Sequence, residues 1–418
     1  MAEETREVNG VSAAEPRLTA AGAKQHRQPV RMAVVGVSTS RTCGVRDHAT
    51  LLAEAMSREN VSCSLHWLDR SEDTICATRS EIRSWTRGLA AELEKDPPDA
   101  VLLHYSVFSY SYRGLPLFVR PTLSALHGSR IPLVAVLHEF AYPWRRAGLH
   151  GTAWALSQRA LLIEVMRASA AVVVTIDGRA GWLASRVWLP RRPVAVAPVF
   201  SNLPPPTVRP RPDRQSPVIG LFGYSHEAPT VSLVLDALRL LEDRGRGVGL
   251  MLLGAPGRSS AVAEAWLAGA RTRAIAHALS FSGLLAAQDL SDALAACDIL
   301  LIVNSPGPTS QKTTLAASLA SGRAVAAIDG PHSWSALIQA QAAHMVQPTS
   351  DALASGLDTL LGDEALRREL GARGRAFAEA QMGVARSARV VAGLLDDVLS
   401  GDLIMTGPAD PLDKTQTA

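Results

Sequence analysis

Two histidines close short apolar runs. Leu137-His138-Glu139-Phe140 ends the run 132–137, and His104-Tyr105 ends the run that begins at Ala100, with Tyr110, Tyr112 and Arg113 in the loop beyond. Imidazole titrates near neutrality, so a His at a cleft mouth can move a proton or polarise a bound oxygen. Taken alone, His138-Glu139 fits a local ion pair or helix cap equally well. No third ligand stands at metal-binding spacing, so no metal is expected. The most informative stretch is Asn304-Ser-Pro-Gly-Pro-Thr309-Ser310-Gln-Lys312-Thr313-Thr314, which runs on to Gly322. A loop rich in Gly, Pro and hydroxyls enters a helix there, and free N–H groups with hydroxyls and one ammonium form a diphosphate cradle. Only four lysines occur, and Lys312 alone lies outside the tails and the surface-like Glu94-Lys95-Asp96. The plain alternative for it is a solvated first-turn residue.

Three further turns sit where a ligand would lie. Gly36–Gly44 leads from an apolar run into a helix with Asp47 and His48, offering Gly44 at the helix start. Gly223-Tyr-Ser-His226 and Gly254-Ala-Pro-Gly257-Arg258 end two later apolar runs, and either can approach a nucleotide or simply turn the chain. The Rossmann and Walker A glycine spacings are absent, which weakens dinucleotide and ATP-loop readings.

Positioning these residues requires a particular order of elements. Short apolar runs at 32–37, 62–68, 100–103, 132–137, 171–176 and 194–197 alternate with helical patterns at 47–58, 79–94 and 152–168. The same alternation returns at 218–222, 247–253, 279–282, 299–303 and 324–328, with helices at 229–244, 259–277, 290–296 and 310–321, then 363–378 and 384–399. Such alternation predicts α/β architecture, with parallel sheets covered on both faces. The expected organisation is a tail over 1–29, a Rossmann-like domain over 30–200 and a Pro-rich linker over 201–216. A second Rossmann-like domain over 217–383 follows, then a helix over 384–400 and a tail over 401–418. Two doubly wound domains would thus face one cleft, with ligands at the strands' carboxyl ends.

Composition narrows the partners. A length of 418 residues at roughly 150 per domain allows two or three domains. A net charge of +3 gives no basic field, so no nucleic acid is expected. Four cysteines without a Cys-x-x-Cys pair suit a reducing, cytoplasmic setting. The first thirty residues hold no apolar stretch of signal-peptide length, and no run approaches the roughly 18–20 residues of a membrane span. Peripheral membrane contact stays open, since an amphipathic face escapes that count.

Taken in order, these segments resemble glycosyltransferase family 4, retaining nucleotide-sugar transferases of the GT-B fold. The likeness runs from about residue 31 to 399 through Thr42–Leu52, His104-Tyr105 with Arg113–Pro116, Leu137–Glu139, Val218–Gly223, Leu252–Gly254, Phe281–Gly283, Leu294–Asp298 and Leu315–Val325. Two departures stand out. Thr309 and Ala317 occupy the places where the family commonly carries two glutamates, and the turn after 222 supplies His226 without the usual basic pair. The resemblance implies a nucleoside-diphosphate sugar as donor and no separate cofactor. Lys312, Ser310 and Thr313 would hold the diphosphate, with Gly44, Gly223, His226, Gly254 and Thr309 around it and His138 by the donor sugar. His104, Tyr105 and Arg113 would face the acceptor, which could be a polysaccharide, a lipid carrier or a small natural product. A non-catalytic scaffold and a sugar-nucleotide epimerase are the alternatives.

Overall fold

The apolar runs assemble into two six-stranded parallel sheets in the computed structural model, which describes residues 28–39, 43–72, 74–112, 115–141, 148–207, 216–254 and 256–402. The first sheet contains β1 (Val30–Ser38), β2 (Val61–Asp69), β3 (Ala100–Ser106), β4 (Leu133–Glu139), β5 (Ala171–Val174) and β6 (Val194–Val196). Helices α1 (Gly44–Met56), α2 (Ile75–Lys95), α3 (Val119–Gly128), α4 (Gly148–Ala168) and α5 (Asp177–Ala184) make the crossovers. The second sheet contains β7 (Val218–Phe222), β8 (Gly249–Leu253), β9 (Leu279–Gly283), β10 (Ile299–Ile302), β11 (Ala324–Ile328) and β12 (His344–Val346). Its helices are α6 (Ala228–Asp243), α7 (Ala261–Thr272), α8 (Ala287–Ala296), α9 (Thr313–Ala320), α10 (Ser335–Gln339), α11 (Ser350–Gly362) and α12 (Glu364–Gln381), followed by α13 (Val384–Ser400).

Strand order is β2-β1-β3-β4-β5-β6 in one sheet and β12-β11-β10-β7-β8-β9 in the other. Each winds outward in both directions from its first strand, which is the Rossmann-like arrangement. The crevices therefore open between β1 and β3 and between β7 and β10, where the direction of winding reverses. β3 and β11 are buried along their whole length, as expected for strands covered on both faces.

Five elements escaped the sequence pattern: α3, α5, α10, α11 and β12. The shortest, β12 and α10, are too brief to show a period. α3 carries Pro121 in its first turn, where a missing N–H costs no helical bond. The helix expected at 310–321 begins only at Thr313, because Ser310 and Gln311 are used elsewhere.

α13 leaves the second sheet and packs on the first. Val391 and Leu395 join Val34, Leu52, Val173 and Phe200 in one core, and the Ser387 hydroxyl donates to the Pro198 carbonyl at 3.1 Å. Between the sheets, the chain at 201–207 is held along α8: Ser291 donates to the Pro204 carbonyl at 2.7 Å, and the Thr207 N–H donates to Asp292 at 2.6 Å. No helix among the described residues is long and apolar enough to cross a membrane.

Truncating Leu395, 1% exposed, leaves a cavity between α13 and the first sheet. Leu395→Ala should lower unfolding free energy by about 2–5 kcal/mol in a denaturant titration. An unchanged midpoint would show that α13 is not part of that core.

Candidate functional site

In the second sheet, the loops flanking the crevice between β7 and β10 are those singled out by their chemistry. Gly223 follows β7 with φ +76°, a left-handed conformation suited to glycine, and packs against Thr314 of α9. The His226 ring is hydrogen-bonded to the Gly223 backbone and lies near Lys312. Burial, and then the nearby ammonium, hold its pKa below the usual value despite that hydrogen bond. Lys312 itself is exposed, occupies the cap position of α9, and forms no ion pair among the described residues. A cation beside the positive end of a helix is unfavourable until an anion arrives. Thr313, half-buried, opens the helix, and Thr309, also half-buried, accepts the Lys312 N–H at 3.3 Å.

The loop before α9 is rigidly seated. Gly307 (φ +91°) lies against Gly330 and Ser333 so closely that a Cβ would come within 2.9 Å of the Ser333 nitrogen. The N–H groups of His332 and Trp334 donate to the Pro306 and Pro308 carbonyls, each at 2.8 Å.

Ser310, expected on the diphosphate, is fully buried at the junction of the domains. Its hydroxyl donates to the Thr175 carbonyl and its own carbonyl accepts the Val199 N–H, both at 2.9 Å. With hydroxyl and carbonyl both committed, it joins the two halves. Gln311, overlooked in the sequence, donates to the His138 carbonyl at 3.2 Å, and the Arg179 guanidinium donates to the same oxygen.

The first domain brings three histidines together. His104 Nδ1 and His138 Nε2 share a hydrogen bond of 2.9 Å, and His48 meets the His138 ring edge-on at 5.3 Å. His48 also stacks on Phe200 at 4.3 Å. Burial brings the His48 pKa down to about 4 and holds His104 and His138 well below the ordinary value, with mutual repulsion adding to both. All three are neutral near pH 7. His48 sits within α1, where one helical residue gave no strand-end signal.

Two acceptor expectations are corrected here. His104 is 1% exposed and bonded to His138, so it supports that ring and cannot face an acceptor. Tyr105 is fully buried and stacks on buried Tyr110 at 5.8 Å, because adjacent residues on a strand face opposite sides. Arg113 lies outside the described residues. Gly44 is the exposed first residue of α1, with open space around it. Gly254 (φ +89°) ends β8, one strand from the crevice, and its N–H donates to Ser282 at 3.0 Å. Ala317 is buried in the core under α9, so no carboxylate reaches a ligand from there. At the end of β4, a recess of about 200 Å³ is lined by Phe108, Glu139, Phe140, Gln158 and Arg179. Among the described residues, no group of three or more His, Cys, Asp or Glu is placed to hold a metal ion.

The fold defined by these two sheets is that of the GT-B glycosyltransferases. The sucrose-phosphate synthase of Thermosynechococcus elongatus superposes with TM-score 0.63 at 14% identity, over 89% of this chain and 100% of that one. HepE of Anabaena, solved in complex with UDP and glucose, gives 0.62 at 15% over 88% and 100%. A putative UDP-N-acetylglucosamine 2-epimerase of Listeria monocytogenes gives 0.58 at 12% over 92% and 100%. No family model and no curated protein sequence matches the chain.

The neutral histidines make stability depend on pH. Between pH 6.5 and about 4 the unfolded chain takes up protons that folded His48 refuses. Stability is therefore complete above the ordinary imidazole pKa and declines as pH falls through that window. At the lower end His48 should contribute roughly 3 kcal/mol of that decline. Urea midpoints measured across the window should fall less steeply for His48→Leu than for the native chain. Parallel slopes would contradict the assignment.

Proposed function

We propose that the chain transfers a sugar, with retention of configuration, from a nucleoside-diphosphate sugar to an acceptor hydroxyl. The observation that carries this reading is the convergence of Gly223, His226, Lys312 and Thr314 at the reversal point of the second sheet. Positive charge and helical N–H groups meet there, and Lys312 forms no ion pair among the described residues, as a diphosphate site would require.

On this reading, the bond between the sugar's anomeric carbon and the diphosphate oxygen breaks while the acceptor oxygen bonds to the same face. The acceptor proton passes to the departing phosphate oxygen. Negative charge grows on the diphosphate, where the Lys312 ammonium and the first N–H groups of α9 stabilise it without reorganising. His138 contacts the donor sugar through Nδ1, since its Nε2 is bonded to His104. The acceptor takes the recess beside Phe108, Phe140 and Glu139 in place of Tyr105. Cys43, Cys63, Cys76 and Cys297 form no disulfide among the described residues, which is in keeping with a reducing compartment.

Calorimetric titration with UDP-, GDP- and ADP-sugars should give saturable binding to one base. Lys312→Ala should lower turnover by on the order of 100-fold or more with an unchanged melting temperature. Near-normal turnover would remove Lys312 from the site. Epimerised donor formed without an acceptor would overturn transfer as the reaction.

A further inference from the structure

α4 presents apolar residues on the side that should be polar. Gln158 is 1% exposed, while Leu156 stands 56% exposed, with Ala153 and Ala160 also open to solvent. A helix apolar around its circumference is ordinarily covered on all sides. The segment after α5 extends this face. Val187 is 94% exposed and Trp188 39% exposed, and they lie between Arg186 and Arg191. Arg192 fastens the segment to the end of α4 by donating to the Met166, Ser169 and Arg167 carbonyls at 3.1, 2.6 and 3.2 Å. Arg159 of α4 is close enough to Arg186 for the two charges to repel.

The face is basic as well as apolar. No Asp or Glu occurs between Gly178 and Pro212. The acidic residue on α4, Glu164, is held by Arg120 through both carboxylate oxygens.

We propose that this face docks on an anionic lipid bilayer. Val187 and Trp188 would enter the headgroup boundary, while Arg186, Arg191 and Arg159 meet lipid phosphates. Tryptophan is favoured at that depth, and guanidinium binds phosphate through paired donors. Lipid suits the shape, because Val187 protrudes and fluid acyl chains close around a protruding side chain without a preformed pocket. A second copy of the chain suits it poorly, because a two-fold interface would set these arginines against one another.

The surface also reaches the cleft. Trp188 meets Trp182 edge-on at 5.9 Å, and Trp182 lies 5.5 Å from Phe140, which lines the recess at the end of β4. A bilayer docked here would deliver a lipid-linked acceptor to that recess. The docking itself stands apart from the transfer reading, since vesicle binding needs no donor sugar.

Sedimentation of the full chain with vesicles tests it. Vesicles containing phosphatidylglycerol should carry the chain down, and pure phosphatidylcholine vesicles should leave most of it in solution. Val187→Asp should abolish binding, and Arg191→Gln should weaken it about fivefold, as expected for one basic contact at an anionic surface. Leu284→Asp, at a residue 78% exposed in the second domain, should bind as the native chain does. The proposal is overturned if anionic vesicles leave the chain in solution, or if Val187→Asp binds normally. It is equally overturned if these residues mediate self-association or capture of an acidic protein while vesicles go unbound.

Discussion

Two consecutive residues set the geometry on which the cleft depends. Ser310 joins the second domain to Thr175 and Val199 of the first, and Gln311 reaches the carbonyl of His138. Each such bond contributes only about 0.5–1.5 kcal/mol. Their value lies in direction and position, because α9 starts two residues after Gln311. A clasp that near the helix start fixes where Lys312 and the free N–H groups sit relative to the first domain. A small change in the clasp would shift both halves of the site together.

The electrostatics of the two halves are complementary. The second domain gathers positive charge at the start of α9, and His226 is held neutral beside it. The first domain offers three buried imidazoles that carry no net charge near neutrality. On the proposed reading, the neutral His138 ring offers a directed dipole to a sugar hydroxyl without competing with Lys312 for the diphosphate. Burial thus assigns the charge to one side of the cleft and the orientation to the other.

Local pattern made much of the architecture legible. The runs at 218–222 and 324–328 match β7 and β11 end for end, since short apolar stretches bounded by turns have few other solutions. Lys312 stood out through rarity, and Gly223 and His226 through their place after a strand. The misreading of Ser310 and the oversight of His48 share one physical cause, which is dependence on distant contacts. A hydroxyl at position 310 looks alike whether it meets a ligand or the Thr175 carbonyl, which is 135 residues away in sequence. His48 became visible only when α1 was laid against β3 and β4. Tyr105 could have been judged better from sequence, because strand alternation forbids it and His104 from facing the same side.

On the proposed function, the diphosphate binds where α9 begins. A crystal structure of the chain with a nucleoside-diphosphate sugar measures this directly. It should show phosphate oxygens within hydrogen-bond reach of the Lys312 ammonium and the Thr313 and Thr314 N–H groups, with the sugar turned toward His138. Phosphate groups bound at another crevice, or a cleft left empty at saturating donor, would contradict it.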